Sequence, residues 1–398
     1  MARVDFDTPI NRFGTHCVKW DMMQTLYGIP HDRGLAMWVA DMEFRPPQVV
    51  QDALQKMLDH GVYGYFGDES RYLEALTWWM ENRHGWKIDP AHIFTTHGLV
   101  NAVGLALQAF TQPGDGVVLM TPVYHAFARV IRASGREVVE CALKNDTSAG
   151  GAGRYVLDIA AWDAQLTGRE TMLILCSPHN PGGRVWTGDE LRQIADFAKR
   201  HDLILVSDEI HFDLTFPGHK HHVMAKACPD IQDRLVMLTA TTKTFNIAGA
   251  HTGNVIIADP QLRARFAAVM GALGISPNSF GMHMVTAACS PEGADWVDQL
   301  MTYIDGNRRL FDAGIAAIPG LKSMPLEATY LSWVDYSGTG LSKADMLARV
   351  EGQAAIATNH GDSFGKGGES FLRFNIAAPR AQVEEAITRL QAVFADLQ

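Results

Sequence analysis

Between residues 93 and 257, short apolar runs rich in β-branched side chains alternate with longer stretches whose apolar positions recur at helical spacing. The runs fall at 93–96, 117–120, 138–141, 172–176, 203–206, 235–239 and 255–257. Helical spacing covers 100–112, 189–200 and 261–273. Strands separated by helices pair in parallel, with the intervening helices packed on the sheet. The pattern predicts an α/β fold: a mostly parallel sheet with helices on both faces. Ahead of it, helices are expected at 47–60 and 70–84, with a Gly/Tyr-rich turn between them. Beyond residue 291 come a long helix at 294–317, strands near 330–334 and 371–376, and a closing helix at 380–397. This organisation predicts a large domain over 46–288 and a small α+β domain built from both chain ends, 1–45 and 289–398.

With 398 residues, 47% hydrophobic and 20% charged, the chain has ordinary globular usage and enough apolar residues for a large core. The net charge of −10, with no stretch where Lys and Arg alternate with aromatics, argues against a nucleic-acid partner. Residues 1–12, with Asp5, Asp7 and Pro9, read as neither signal nor transit peptide, so a cytoplasmic location is expected. The apolar stretch 100–110, interrupted by Asn101 and Gln108, falls short of the ~20 residues of a membrane span, and no membrane insertion is expected. Cys17, Cys141, Cys176, Cys228 and Cys289 contain no C-x-x-C and read as reduced thiols, without disulfide or zinc. Residues 144–154, with Gly150, Gly151 and Gly153, read as a surface loop because no helix follows them as in a phosphate loop; 365–368 is another loop. His219, His221 and His222 lack the carboxylate or cysteine spacing that completes a metal site, and none is expected; Trp78 and Trp79 read as packing on a helix face.

In an open parallel sheet, ligands bind outside the carboxyl ends of the strands, so polar residues that follow apolar runs take priority. Tyr124 follows the run at 117–120, Asn180 in Asn-Pro-Gly-Gly follows 172–176, Asp208 in Ser-Asp-Glu-Ile-His follows 203–206, and Lys243 in Thr-Thr-Lys-Thr-Phe-Asn follows 235–239. Together they describe a pocket for pyridoxal 5'-phosphate (PLP). A carboxylate at Asp208 keeps the pyridine nitrogen protonated, so the ring accepts the electrons of a substrate carbanion. Lys243, desolvated beside a cationic ring, has a depressed pKa and serves as both anchor and base. The Asn180 amide suits the cofactor's phenolic oxygen, and Tyr124 offers a ring face for stacking. Gly98, Leu99 and Val100 join a strand to a helix start, where backbone N–H groups bind a phosphate; Thr242 adds a hydroxyl. Arg373 is a lone arginine inside an apolar strand. A bidentate clamp on a substrate α-carboxylate is its economical use, a structural ion pair the alternative.

The order Tyr124, Asn180, Asp208, Lys243, Arg373 resembles the fold-type I class I/II aminotransferase superfamily over nearly the whole chain. Within it, the segments 38–44, 207–214 and 243–249, together with Gly64-Tyr65, Phe6-Asp7-Thr8 and Lys19-Trp20-Asp21, look like the bacterial cystathionine β-lyase, or C-S lyase, branch. The resemblance implies a homodimer with shared active sites, in which Tyr65 reaches the cofactor phosphate of the neighbouring subunit. It also implies that Val39 and Ala40 line the substrate side and that His211 contacts the cofactor. The chain departs from the superfamily at His211, where Tyr is frequent, at Ala240, where Ser is frequent, and at His251, where Arg is frequent. The first change is typical of the lyase branch; the other two remove familiar phosphate ligands.

The reaction implied is cleavage of cystathionine or related S-substituted cysteines to pyruvate, ammonia and a thiol. Transamination of an amino acid is the alternative, and Tyr124, Lys243 and Asp208 are the catalytic candidates for either. A third reading, a regulatory protein acting by contact with a partner, is disfavoured by the intact set Lys243, Asp208, Asn180 and Arg373.

Overall fold

The computed structural model describes residues 3–148 and 150–397; Met1, Ala2, Ala149 and Gln398 of the expected terminal and loop segments lie outside them. A seven-stranded sheet runs in the order Ile93–Thr96, Gly253–Ile256, Leu235–Thr239, Ile204–Asp208, Glu170–Cys176, Gly116–Leu119, Glu137–Glu140. All neighbours pair in parallel except Gly253–Ile256, which is antiparallel to both of its partners. Strand periodicity explains the continuous apolar runs. Along Glu170–Cys176, Leu173 and Leu175 pack on one face while Met172, Ile174 and Cys176 pack on the other. The first face is covered by helix Gly188–Arg200 through Leu191, Ile194, Ala195, Phe197 and Ala198. The second is covered by helix Leu99–Phe110.

Helix boundaries follow local chemistry. Thr187 and Glu190 form a reciprocal capping box ahead of Gly188–Arg200, and Asp259 caps Pro260–Ala272 with proline in the first turn. Helix Ser70–His84 buries Tyr72, Leu76, Trp79 and Met80 along one face, with Trp79 packed and Trp78 only partly covered. A smaller antiparallel sheet runs Lys322–Ser323, Leu331–Asp335, Phe371–Asn375, Asn359–His360. The N-terminal strand Leu35–Ala36 pairs in parallel with Ile356–Ala357 as a separate two-stranded sheet.

Two expectations are corrected. Residues 144–154 are not only a loop: Lys144–Asp146 and Arg154–Val156 form a hairpin, anchored by the buried Tyr155 and by Asn145 Nδ2 donating to the Ala152 carbonyl. The closing helix ends at Val393 and is followed by a tight turn at Ala395–Leu397. Helices His125–Ala133 and Ser279–Ala288, unmarked in the apolar pattern above, also form.

Candidate active site

Residues from five strand ends and one N-terminal segment line a cavity of about 380 Å³. Asp208 ends strand Ile204–Asp208; Asn180 and Tyr124 follow Glu170–Cys176 and Gly116–Leu119; Thr242 and Lys243 follow Leu235–Thr239. Gly98, Leu99 and Val100 enter from the turn after Ile93–Thr96. Val39 and Ala40 cross the opening, and Arg373 arrives from the small sheet.

Lys243 Nζ donates to the Ala40 carbonyl at 2.7 Å. Burial pushes its pKa down to about 8, with the charges of Arg373 and Lys19 acting in the same direction against Asp41 and Asp208. The Ala40 carbonyl also accepts from Tyr330 Oη at 3.0 Å. The segment carrying it is fixed elsewhere: Asn375 Nδ2 donates to the Val39 and Asp41 carbonyls at 2.7 and 2.5 Å. Behind it, Lys19 pairs with Glu43 at 2.6 Å, while Arg12 bridges Asp41 and Glu43.

Asp208 is buried and pairs with no cation among the described residues; its Oδ1 accepts from the Ile210 N–H at 3.1 Å. Burial, with the neighbouring Glu209 charge, raises its pKa to about 7. Burial also lowers His211 to about 3, assisted by Lys243 and Arg373, so the ring is neutral, and its Nδ1 has no hydrogen-bond partner. Arg373 is 2% exposed yet meets no carboxylate. Its Nη1 donates to Asn180 Oδ1 at 2.8 Å, and its Nη2 donates to the Trp38 carbonyl at 3.0 Å and to Asn359 Oδ1. Burial lowers its pKa to about 10. The structural ion-pair reading of Arg373 therefore has no partner, and the guanidinium stands ready for an anion. Because Asn180 Oδ1 is taken by Arg373, its NH₂ group is the part left to face a ligand.

A family model for aminotransferase class I and II matches residues 39–390. The chain belongs to the class I and II aminotransferase family. Within this family it is 38% identical to cystathionine beta-lyase PatB of Bacillus subtilis over 392 residues, which span 98% of this chain and 99% of the relative. The fold matches cystalysin from Treponema denticola, solved with pyridoxal 5'-phosphate, with a TM-score of 0.93 and 36% identity over 99% of this chain and 100% of that one. It also matches the PLP-bound C-S lyase from Staphylococcus hominis, with a TM-score of 0.90 and 27% identity over 99% and 98% of the two chains. The architecture is that of the fold-type I PLP enzymes, and PLP is the cofactor of the family.

The residues present fit that cofactor. Asp208 is a buried acid that faces the cavity and forms no ion pair among the described residues, the environment a protonated ring nitrogen completes. The unpartnered His211 Nδ1 and the free Asn180 amide offer donors or acceptors to ring substituents. Gly98, at φ 83°, opens helix Leu99–Phe110 without a side-chain cap. The neighbouring backbone is closely packed there: a Cβ on Gly253 would lie 2.6 Å from Leu99 Cδ2 and 3.1 Å from the Gly98 carbonyl carbon.

One family position is not in this cavity. Tyr65 is fully exposed and lines a separate hollow of about 860 Å³ with Tyr63, Phe66, Arg71 and His283. The histidine cluster also separates: His221 is buried and pairs with Glu209 at 2.7 Å, and Glu209 in turn accepts from Ser207 and from the Met224 N–H. Among the described residues no group of three or more His, Cys, Asp or Glu is placed to hold a metal.

Residues unforeseen at the site include Asn359, Tyr330, Asn375 and Trp38. Asn375 carried a signal: a second polar residue two places after Arg373 on an apolar strand must share its face. Asn359 and Tyr330 are brought in by sheet pairing and packing, which spacing along the chain does not encode.

The buried acid makes a stability prediction for the cofactor-free chain. A carboxyl whose folded pKa is about 7, against 3.8 unfolded, contributes stability that is complete below the unfolded value and is lost as pH rises through 7. Asp208→Asn is thus expected to be more stable than the parent at pH 8, by up to about 4 kcal/mol, with the gap narrowing toward pH 5. Urea midpoints at the two pH values check this; a gap that does not grow with pH contradicts it.

Proposed function

We propose that this chain is a PLP-dependent carbon–sulfur β-lyase that cleaves cystathionine or related S-substituted cysteines to pyruvate, ammonia and a thiol. The observation carrying this reading is the convergence of Lys243, Asp208, Asn180 and an acid-free Arg373 on one cavity, in a chain whose relatives include a cystathionine beta-lyase and C-S lyases.

When bound, PLP supplies a conjugated ring that takes up the electron pair left on the substrate's α-carbon. Arg373 grips the α-carboxylate through the guanidinium N–H groups not already engaged, and Asn180 holds the guanidinium in place from one side. Lys243, its pKa lowered by burial, carries the α-proton as a free amine, and the Ala40 carbonyl fixes where that amine rests. Asp208 would hold a proton on the ring nitrogen, Tyr124 would stack on the ring, Asn180 would donate to the phenolic oxygen with His211 beside the cofactor, and Gly98, Leu99, Val100 and Thr242 would hold the phosphate. The C–S bond then breaks with the sulfur leaving as thiolate, and water releases ammonia from the remaining three-carbon unit.

The test is product identity. L-Cystathionine or an S-alkyl cysteine should yield thiol, pyruvate and ammonia in equal amounts without a keto-acid acceptor. Turnover that requires an acceptor and releases no thiol makes the protein an aminotransferase instead.

The same reading includes a homodimer in which Tyr65 completes the neighbouring site, supported by its full exposure and by its lying outside the lining of its own subunit's cavity. Mixed Tyr65→Ala and Lys243→Ala subunits should regain activity, since one hybrid site carries both intact residues. No recovery despite demonstrated subunit exchange counts against a shared site.

A further inference from the structure

Three of the residues that line the cavity are exposed: His97, His125 and His251. His97 and His251 flank the Gly98 turn. His125 stands on a different wall, the one that carries Tyr124 and Arg373. Its ring lies 5.0 Å from that of Tyr124 and meets Phe364 edge-on at 5.6 Å, and the Arg373 guanidinium lies over the same Phe364 ring at 4.9 Å. The Val123 N–H donates to the Phe364 carbonyl at 2.8 Å and ties the two segments together. His125 therefore marks where the wall around Arg373 opens to solvent.

The surroundings of His125 are positive. Burial of its inner edge lowers its pKa to about 4, and the charges of Arg373 and Arg129 push the same way with no carboxylate opposing them. At neutral pH the ring is uncharged and keeps one N–H to donate, and it makes no hydrogen bond among the described residues. Helix His125–Ala133 buries Ala126, Phe127 and Ile131 and contains no acidic residue. Its outer face carries His125, Arg129 and Arg132, spaced four and three residues apart. Both arginines are exposed, and neither side chain meets a carboxylate among the described residues. Elsewhere on the surface Arg192, Arg200, Arg234 and Arg349 each pair with an aspartate. Like charges one turn apart repel, so this face gains from an anion that the protein itself does not supply.

The placement matters for a substrate held by its α-carboxylate on Arg373. A long S-substituent that leaves the cavity along this wall meets His125 first. Arg129 follows one helical turn further on, about 6 Å along the axis, which is within reach of a chain of four or five atoms beyond the sulfur.

We propose that His125 and Arg129 form a subsite for a carboxylate at the far end of the S-substituent, so that the enzyme favours S-substituted cysteines whose leaving thiol bears a carboxylate over neutral S-alkyl cysteines. The proposal rests on the lyase reading and names the substrate class within it.

S-(3-carboxypropyl)-L-cysteine and S-butyl-L-cysteine have substituents of equal length and differ only in a terminal carboxylate or methyl group. With the full-length, PLP-loaded protein, kcat/KM for each is read from pyruvate release. The parent is expected to prefer the carboxylate by about tenfold, chiefly through a lower KM. Arg129→Met keeps the side-chain stem without its charge and is expected to cut that preference about fivefold. His125→Phe keeps the ring contacts with Tyr124 and Phe364 and is expected to cut it about threefold. Arg129→Lys, which retains a charge, should hold the preference within about twofold of the parent. Because the readout is a ratio, a general loss of folding or cofactor leaves it unmoved. A parent that turns over both compounds equally, or a preference that survives in both Arg129→Met and His125→Phe, overturns the subsite and leaves the lyase reading intact. A parent that releases pyruvate from neither compound overturns the lyase reading, and the subsite with it.

Discussion

Replacing Lys243 by alanine is expected to reduce turnover by at least about 10⁴-fold, because one amine performs two tasks. In the proposed function it anchors the cofactor covalently and moves the proton at the substrate α-carbon. Burial lowers its pKa to about 8, which makes the neutral amine accessible near physiological pH, and the Ala40 carbonyl gives the released amine a fixed position. The covalent role is checked separately from rate. Borohydride treatment of the loaded parent should leave a reduced pyridoxyl group on the peptide containing Lys243, and the alanine variant should retain none. A pyridoxyl adduct that persists on the variant chain places the anchor elsewhere.

Arg373→Ala is expected to lower kcat/KM by about 100-fold or more, in line with the cost of truncating one partner of a buried, hydrogen-bonded charge pair. The guanidinium is enclosed, bound only to neutral acceptors and held between Asn180 and Asn359, so its geometry is set before substrate arrives. Arg373→Lys should recover little of the loss, since a lysine supplies charge without the planar fork. The decisive comparison uses a substrate and its analogue lacking the α-carboxylate. The penalty of the variant should be large for the first and small for the second; equal penalties would mean that Arg373 only supports the fold around Asn180.

The main strands were legible because both faces of the large sheet are covered. Leu173 and Leu175 face one helix layer, Met172 and Ile174 the other, and such a strand has no polar position to interrupt its run. Helix Ser70–His84 was legible because its buried positions recur along one face. The hairpin of Lys144–Asp146 and Arg154–Val156 was not, since three-residue strands of mixed polarity carry no period; the buried Tyr155 and the Asn145 side chain hold them together. The antiparallel direction of Gly253–Ile256 was equally hidden, because a strand's own sequence does not encode the direction of its neighbours.

By itself the sequence determined which residue types stand at the carboxyl ends of the strands. In an open α/β sheet that location already names Asp208, Asn180, Tyr124 and Lys243 as a site, for a reason of topology and not of distance along the chain. It did not determine what each side chain meets. Only the tertiary structure decided that Arg373 lacks an acid among the described residues and is held by Asn180 and Asn359, that His221 pairs with Glu209, and that the Ala40 carbonyl receives both Lys243 and Tyr330. Each of these contacts joins segments far apart in sequence. Their chemistry depends on burial and on the absence of competing charges, which arise when the sheets, the N-terminal segment and the helices pack together.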